Sequence, residues 1–151
     1  MKVIVRVDNN IDDDNVIILC KENNDFIKSI KDYANNLNVI KIPFYKRDQE
    51  YYIDLNEIIF FETDINNISA HTINDVYNIK YKLYELEQIL PNNFIRVSKS
   101  SIVNVNNIYS IKRNITSSSI IEFNNTYKKI YVSRFYYKNL KERLGKKNEK
   151  I

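Results

Sequence analysis

Ser98, Lys99, Ser100 and Ser101 stand in an unbroken row inside FIRVSKSSIVNV, residues 94–105, among residues that otherwise belong in a core. Hydroxyls hold phosphate oxygens, and a lysine or arginine reaching past them can bond guanine O6 and N7 in the major groove. A second such pair, Ser133 and Arg134, opens the last amphipathic stretch, where Ser133 is a natural helix cap beside free amides. Arg96, Lys112, Arg113, Lys128 and Lys129 fall at strand ends or turns of the same region. Asn66 and Asn67, in a turn after EIIFFET, carry the side-chain amides that pair with adenine.

Other chemistries fail on the residues available. His71 is the single histidine and Cys20 the single cysteine. Covalent or metal catalysis needs a nucleophile, a base and an orienting group, or several ligands at set spacing. Cys20, inside VIILC, reads as a small buried hydrophobe. Asp12, Asp13 and Asp14 read as a solvated turn, and Glu85 and Glu87, two apart on a helix, as surface charge. Gly145 is the one glycine, which removes every glycine-rich phosphate loop. We therefore expect no enzyme, no cofactor, no metal and no small-molecule substrate.

The formal net charge of +4 hides an asymmetry. Residues 1–40 carry 5 Lys+Arg against 7 Asp+Glu, and residues 41–93 carry 5 against 9. Residues 94–151 carry 13 against 3, a surplus of +10 interleaved with strand-forming residues. A folded face that binds a polyanion is one reading of this pattern. From the residues alone a protein-interaction domain stands equally open, the twelve tyrosines suiting a contact surface. RNA binding ranks third, because no paired aromatic motif for base stacking is visible. No apolar run approaches the ~20 residues of a membrane helix, and the start lacks a signal peptide, so a cytoplasmic protein is expected.

The elements that must position these residues follow from periodicity. Val3–Val7 and Val16–Leu19 predict two strands, and Phe26, Ile30, Tyr33, Ala34 and Leu37 a helix, giving a small β-β-α unit over residues 1–40. Residues 41–144 predict a mostly-β domain. Its strands begin with a hairpin turning at Lys46–Glu50 and continue through EIIFFET, NISAHTI and VYNIKY. Ile79, Leu83, Leu86 and Leu90 predict a helix stopped by Pro91. Strands resume at FIRV, SIVNV, IYSIKR, SSIIEF and KKIYVS, and a helix over 135–144 carries a stripe of Tyr136, Leu140 and Leu144. Residues 145–151 read as a frayed basic tail.

Three blocks, EIIFFET, YELEQILPNNFIRVSKSSIVNVNNI and IYVSRFYYKNLKERL, together resemble the LytTR DNA-binding domain over about Lys41 to Leu144. The resemblance implies a bacterial transcription regulator of mostly-β α+β fold. In that family strand-connecting loops, rather than a recognition helix, enter the major groove of double-stranded DNA at repeated half-sites. Carried over by motif, it assigns base reading to Lys99, Arg134, Asn66 and Asn67. Arg96, Ser98, Ser100, Ser133, Lys112 and Arg113 would hold phosphates or position the loops, and Asn104 would hold the loop that presents Lys99. At Ser98 the family often carries histidine. The first forty residues resemble the small unit of stand-alone members that lack a phospho-receiver. Those members are often encoded beside a small membrane protein, which adds a homodimer and a membrane-protein partner to the expected contacts. The rival expectation is an adaptor for such a partner that keeps the fold without reading DNA.

Overall fold

The computed structural model describes residues 2–12, 15–37 and 41–149. The chain divides into two compact units, Met1–Val39 and Ile40–Ile151.

In the first unit the helix α1 (Asp25–Leu37) forms as its spacing predicts. Asn24 caps it, its Oδ1 accepting the Ile27 amide at 3.0 Å. The two expected strands do not form among the described residues. Val3, Val5, Val7, Val16, Ile17 and Leu19 are instead strongly exposed. Alternation specifies which face a strand would bury, but a strand exists only when a neighbour supplies the hydrogen bonds. Cys20, expected in a core, is exposed for the same reason.

The second unit is two antiparallel sheets. The larger joins β1 (Pro43–Lys46), β2 (Gln49–Tyr52), β3 (Phe60–Thr63), β4 (Ile68–His71), β5 (Val76–Ile79), β6 (Phe94–Ser98) and β7 (Ser101–Asn104). Its spatial order is β2-β1-β5-β4-β3-β7-β6. The smaller, ordered β10-β9-β8, comprises β8 (Ile108–Lys112), β9 (Ser119–Phe123) and β10 (Lys129–Val132). Helices α2 (Leu83–Ile89) and α3 (Arg134–Glu149) complete the unit. No helix among the described residues is long and apolar enough to cross a membrane.

The central strands explain the uninterrupted apolar runs. In β3, Phe61 packs with Phe44, Leu86 and Phe94 on one side of the sheet, while Phe60 packs with Val97, Phe123 and Leu140 on the other. In β7, Ile102 joins the first cluster and Val103 the second. Period-two alternation thus feeds two cores from one strand, and both faces must be apolar. Helix α2 closes one core through Leu83 and Leu86; the small sheet and α3 close the other through Ile121, Ile130, Val132 and Leu140.

Three details differ from the periodicity. Ile79 ends β5, paired with Ile68, rather than opening a helix; its apolar spacing fits either element. Helix α3 runs through Gly145 to Glu149, where a frayed tail was expected, and Lys150 and Ile151 lie outside the described residues. Ser133 starts α3 with its backbone, its carbonyl accepting from Tyr136 and Tyr137 at 3.1 Å. Its Oγ is buried without a partner and so does not cap the helix.

Two turns use left-handed backbone without glycine. Arg47 and Asp48 (φ 50° and 62°) make the β1–β2 turn, and Asn125 (φ 62°) the β9–β10 turn. Both lie at the pole where β4 meets β5. There Lys46 pairs with Asp75, and Lys128 donates to the carbonyls of Thr72 and Asp75 at 2.9 and 3.0 Å. Thr126 adds a bond to the Ile73 carbonyl at 3.2 Å. These contacts latch the small sheet to the large one.

Asn104 is 1 % exposed and gathers four backbone and side-chain contacts. Its Nδ2 donates to the Ile58 carbonyl at 3.0 Å, and its Oδ1 accepts from Asn93 Nδ2 at 2.9 Å and the Asn106 amide at 3.1 Å. Its own amide bonds the Ile59 carbonyl at 2.8 Å. Asn104 is therefore structural, but it fastens the end of β7 remote from Lys99. Replacing it with leucine orphans a buried carbonyl and two donors. We expect a loss of about 2–4 kcal/mol in denaturant-measured stability, with the slope of the unfolding curve unchanged.

His71 stacks on Phe60, ring centroids 4.2 Å apart, with Nδ1 buried and unpartnered. Burial, with Lys128 nearby, lowers its pKa to about 4. The unfolded chain takes up the proton near pH 6.5 and the folded one only near 4, so this contribution is complete above 6.5 and lost as pH falls toward 4. Stability should fall by up to ~3 kcal/mol over that window. Chemical denaturation of His71→Gln at pH 7.0 and 4.5 should show a much smaller difference than the parent.

Candidate nucleic-acid interface

The antiparallel registers decide which turns meet. Glu62, near the end of β3, pairs with Ser101 at the start of β7, so the β3–β4 and β6–β7 turns lie side by side. The Thr63 amide donates to the Ser100 carbonyl at 2.8 Å and ties them together. Val132 pairs with Ser119, which brings the β8–β9 loop to the start of α3. The Ser133 amide then donates to Val97 at 2.9 Å and joins that pair of segments to β6. Four connections thus share one pole, opposite the one latched by Lys128.

The β6–β7 turn is held from below. Arg96 alternates onto the face of β6 that looks toward α2, where its Nη1 meets Glu87 Oε2 at 3.0 Å. Its Nε donates to the Ser98 carbonyl at 2.8 Å and its Nη2 to the Lys99 carbonyl. Ser98 Oγ accepts the Ser100 amide at 3.1 Å and lies 3.2 Å from Ser100 Oγ. Arg96, Ser98 and Ser100 are therefore engaged in shaping the turn. The Lys99 side chain is left exposed at its tip, with no hydrogen bond or ion pair among the described residues. Glu87 is not mere surface charge, and neither is Glu85, which accepts the Lys82 amide at 3.0 Å.

The other named residues fall into neighbouring hollows. Asn66 and Asn67 are exposed in a turn closed by Asp64 N–H donating to the Asn67 carbonyl at 2.7 Å. With Arg96 and Lys99 they line an open hollow of about 650 Å³ between the β3–β4 turn and the β5–α2 connection. Lys80 and Lys82 line it too, and sequence reasoning missed both. Their signal, NIKYKL between a strand and a helix, was masked by the acidic surplus of residues 41–93. Arg113 and Arg134 share a second hollow of about 220 Å³ with the β8–β9 loop. Arg113 lies over the Tyr137 ring at 5.0 Å, while the Arg134 side chain is exposed without a partner among the described residues. A third hollow of about 310 Å³ joins Ser98, Ser100 and Ser133 with Lys129 and Glu62.

Not every cation belongs here. Lys112 is exposed at the end of β8, one residue from Arg113, and so borders this pole. Lys128 sits at the far pole, where burial lowers its pKa. Lys129 lies 3.6 Å from Glu122. Glu62 is the one carboxyl set into the serine-lined hollow, and burial, with Asp64 beside it, raises its pKa. Among the described residues no three His, Cys, Asp or Glu side chains stand together as a metal site. Asp13 and Asp14 lie outside those residues.

Shape and sequence comparisons agree on what carries this pole. A family model for the LytTr DNA-binding domain matches residues 48–145. The solved LytTr DNA-binding domain of a Bacillus cereus protein, described as a methyl-accepting/DNA response regulator, superposes with a TM-score of 0.65 at 25% identity. That match covers 71% of this chain and 99% of the other. An uncharacterized HTH-type transcriptional regulator of Staphylococcus aureus (strain N315) is 33% identical over 150 residues, covering 96% of this chain and 99% of its own. Another, from strain MSSA476, is 36% identical over 127 residues, covering 81% and 83%. A helix-turn-helix needs two consecutive helices joined by a short turn. In the second unit five strands separate α2 from α3, so the basic pole is built from strand connections instead. The matched segment contains all four of those connections, and the family is one of DNA-binding domains rather than enzymes: the chain belongs to the LytTR DNA-binding family.

Proposed function

We propose that this protein is a sequence-specific regulator of transcription that reads major-groove half-sites in double-stranded DNA through its strand connections. The observation that carries the reading is the contrast between the poles. At one, Lys46 and Lys128 are consumed by internal partners; at the other, the side chains of Lys99, on a turn fixed from beneath, and Arg134, at the start of α3, are exposed and have no partner among the described residues. Cations held ready without internal partners meet DNA at low ordering cost.

Lys99 and Arg134 read bases, with Asn66 and Asn67 beside Lys99 as adenine readers. Lys112 and Arg113 neutralise phosphates, joined by Lys80 and Lys82. Ser133, its hydroxyl buried, positions Arg134 through its backbone, while Ser98, Ser100 and Arg96 set the turn's shape. Repeated half-sites call for two copies of the chain. A small membrane protein is the partner proposed for control, with cytoplasmic localisation.

Fluorescence anisotropy on the DNA upstream of the protein's own gene, with random competitor, tests this reading. Lys99→Ala and Arg134→Ala should each weaken cognate binding by about 5–150-fold and leave random DNA nearly unchanged. Lys112→Ala should weaken both and reduce the salt slope by about one. A chain that acts only as an adaptor would show no salt-sensitive DNA binding there, nor after selection from random sequence.

Glu87 gives a sharper check, because removing an acidic residue near DNA ordinarily strengthens binding. Here Glu87→Gln frees Arg96 from its anchor and loosens the turn that carries Lys99. Cognate affinity should therefore fall several-fold, measured by the same anisotropy titration. An increase would mean that Arg96 serves DNA directly.

A further inference from the structure

We infer that residues 2–8 form a two-fold antiparallel strand pair with the same residues of a second copy, making the chain a dimer through its N-terminal unit. The inference is independent of the DNA reading and is tested without DNA.

Val3, Val5 and Val7 are 78%, 84% and 84% exposed, although their spacing marks them for one buried face, opposite Lys2, Ile4 and Arg6. Among the described residues they have no strand neighbour. An unpaired extended segment is a template for another chain. A two-fold axis through Val5 gives KVIVRVD a self-complementary register. Val5 meets Val5, Val3 meets the partner's Val7, and Ile4 meets the aliphatic stem of the partner's Arg6, while the two symmetry-related Lys2–Asp8 pairs are opposite in sign. Shifting the register by one residue would set valines against the charged face.

Apolar side chains beyond the valine face are available to the same interface. Ile4, Val16, Ile17 and Leu19 are also between 71% and 93% exposed. At roughly 60–120 Å² for each such side chain, these seven supply about 400–800 Å² per copy. A standard interface uses ~800 Å² per partner. A membrane-protein partner would fill the same surface without requiring this self-register.

Sedimentation of the full chain across micromolar concentrations should show a monomer–dimer equilibrium. Val5→Asp sets two like charges against each other at an exposed position and should give a folded monomer by circular dichroism. Lys2→Glu and Asp8→Lys should each weaken dimerisation about 2–30-fold, through two cross-strand pairs, and the double swap should restore it. In a Cys20→Ser background, Val5→Cys should oxidise to a cross-linked dimer, since opposed Cα atoms stand about 4.5–5.5 Å apart. Val3→Cys should cross-link only when mixed with Val7→Cys. A chain that stays monomeric, a dimer indifferent to Val5→Asp, or a double swap that fails to restore pairing would each overturn the proposal.

Discussion

Strand β7 is buried on both faces and β3 is buried on both through Phe60 and Phe61, and the rest of the second unit is arranged around that fact. Phe60 and Phe61 are neighbours in sequence but serve opposite cores, as do Ile102 and Val103. A strand buried on both sides cannot slip by one residue without exchanging the two cores, so its register is fixed. The turns at its ends inherit that rigidity. The Thr63 amide on the Ser100 carbonyl passes it from one turn to the next, and Arg96 passes it from α2 to the tip that carries Lys99.

The same residue type does different work according to what surrounds it. Lys128 and Lys99 are both lysines in hairpin turns, yet Lys128 spends its donors on the carbonyls of Thr72 and Asp75 while Lys99 spends none. Arg96 and Arg134 divide in the same manner. Charge counting treats all four alike, whereas hydrogen-bond accounting separates fasteners from contacts.

Much of this was legible in the residues. EIIFFET and FIRVSKSSIVNV announced central strands because β-branched and aromatic runs have few other uses, and the turn at Lys99 fell where its serines predicted. What was hidden depended on partners distant in sequence. Arg96 looked like a phosphate contact because Glu87, nine residues earlier, could not be seen beneath it. Lys128 looked like a surface cation because its acceptors lie 56 and 53 residues away. Ser133 looked like a cap, and only coordinates show its hydroxyl unpartnered. Residues 3–7 and 16–19 failed differently: their apolar pattern suits strands, but no strand neighbour stands beside them among the described residues.

Arg47, Asp48 and Asn125 hold the left-handed turns, and all three lie at the latched pole. Among the described residues no such backbone occurs in the β3–β4, β6–β7 or β8–β9 connections. None of those connections therefore demands the left-handed backbone that most L side chains resist. Substitutions at the latched pole, by contrast, must respect a conformation few side chains accept. Backbone constraint and the proposed DNA-facing turns thus lie at opposite ends of the same scaffold.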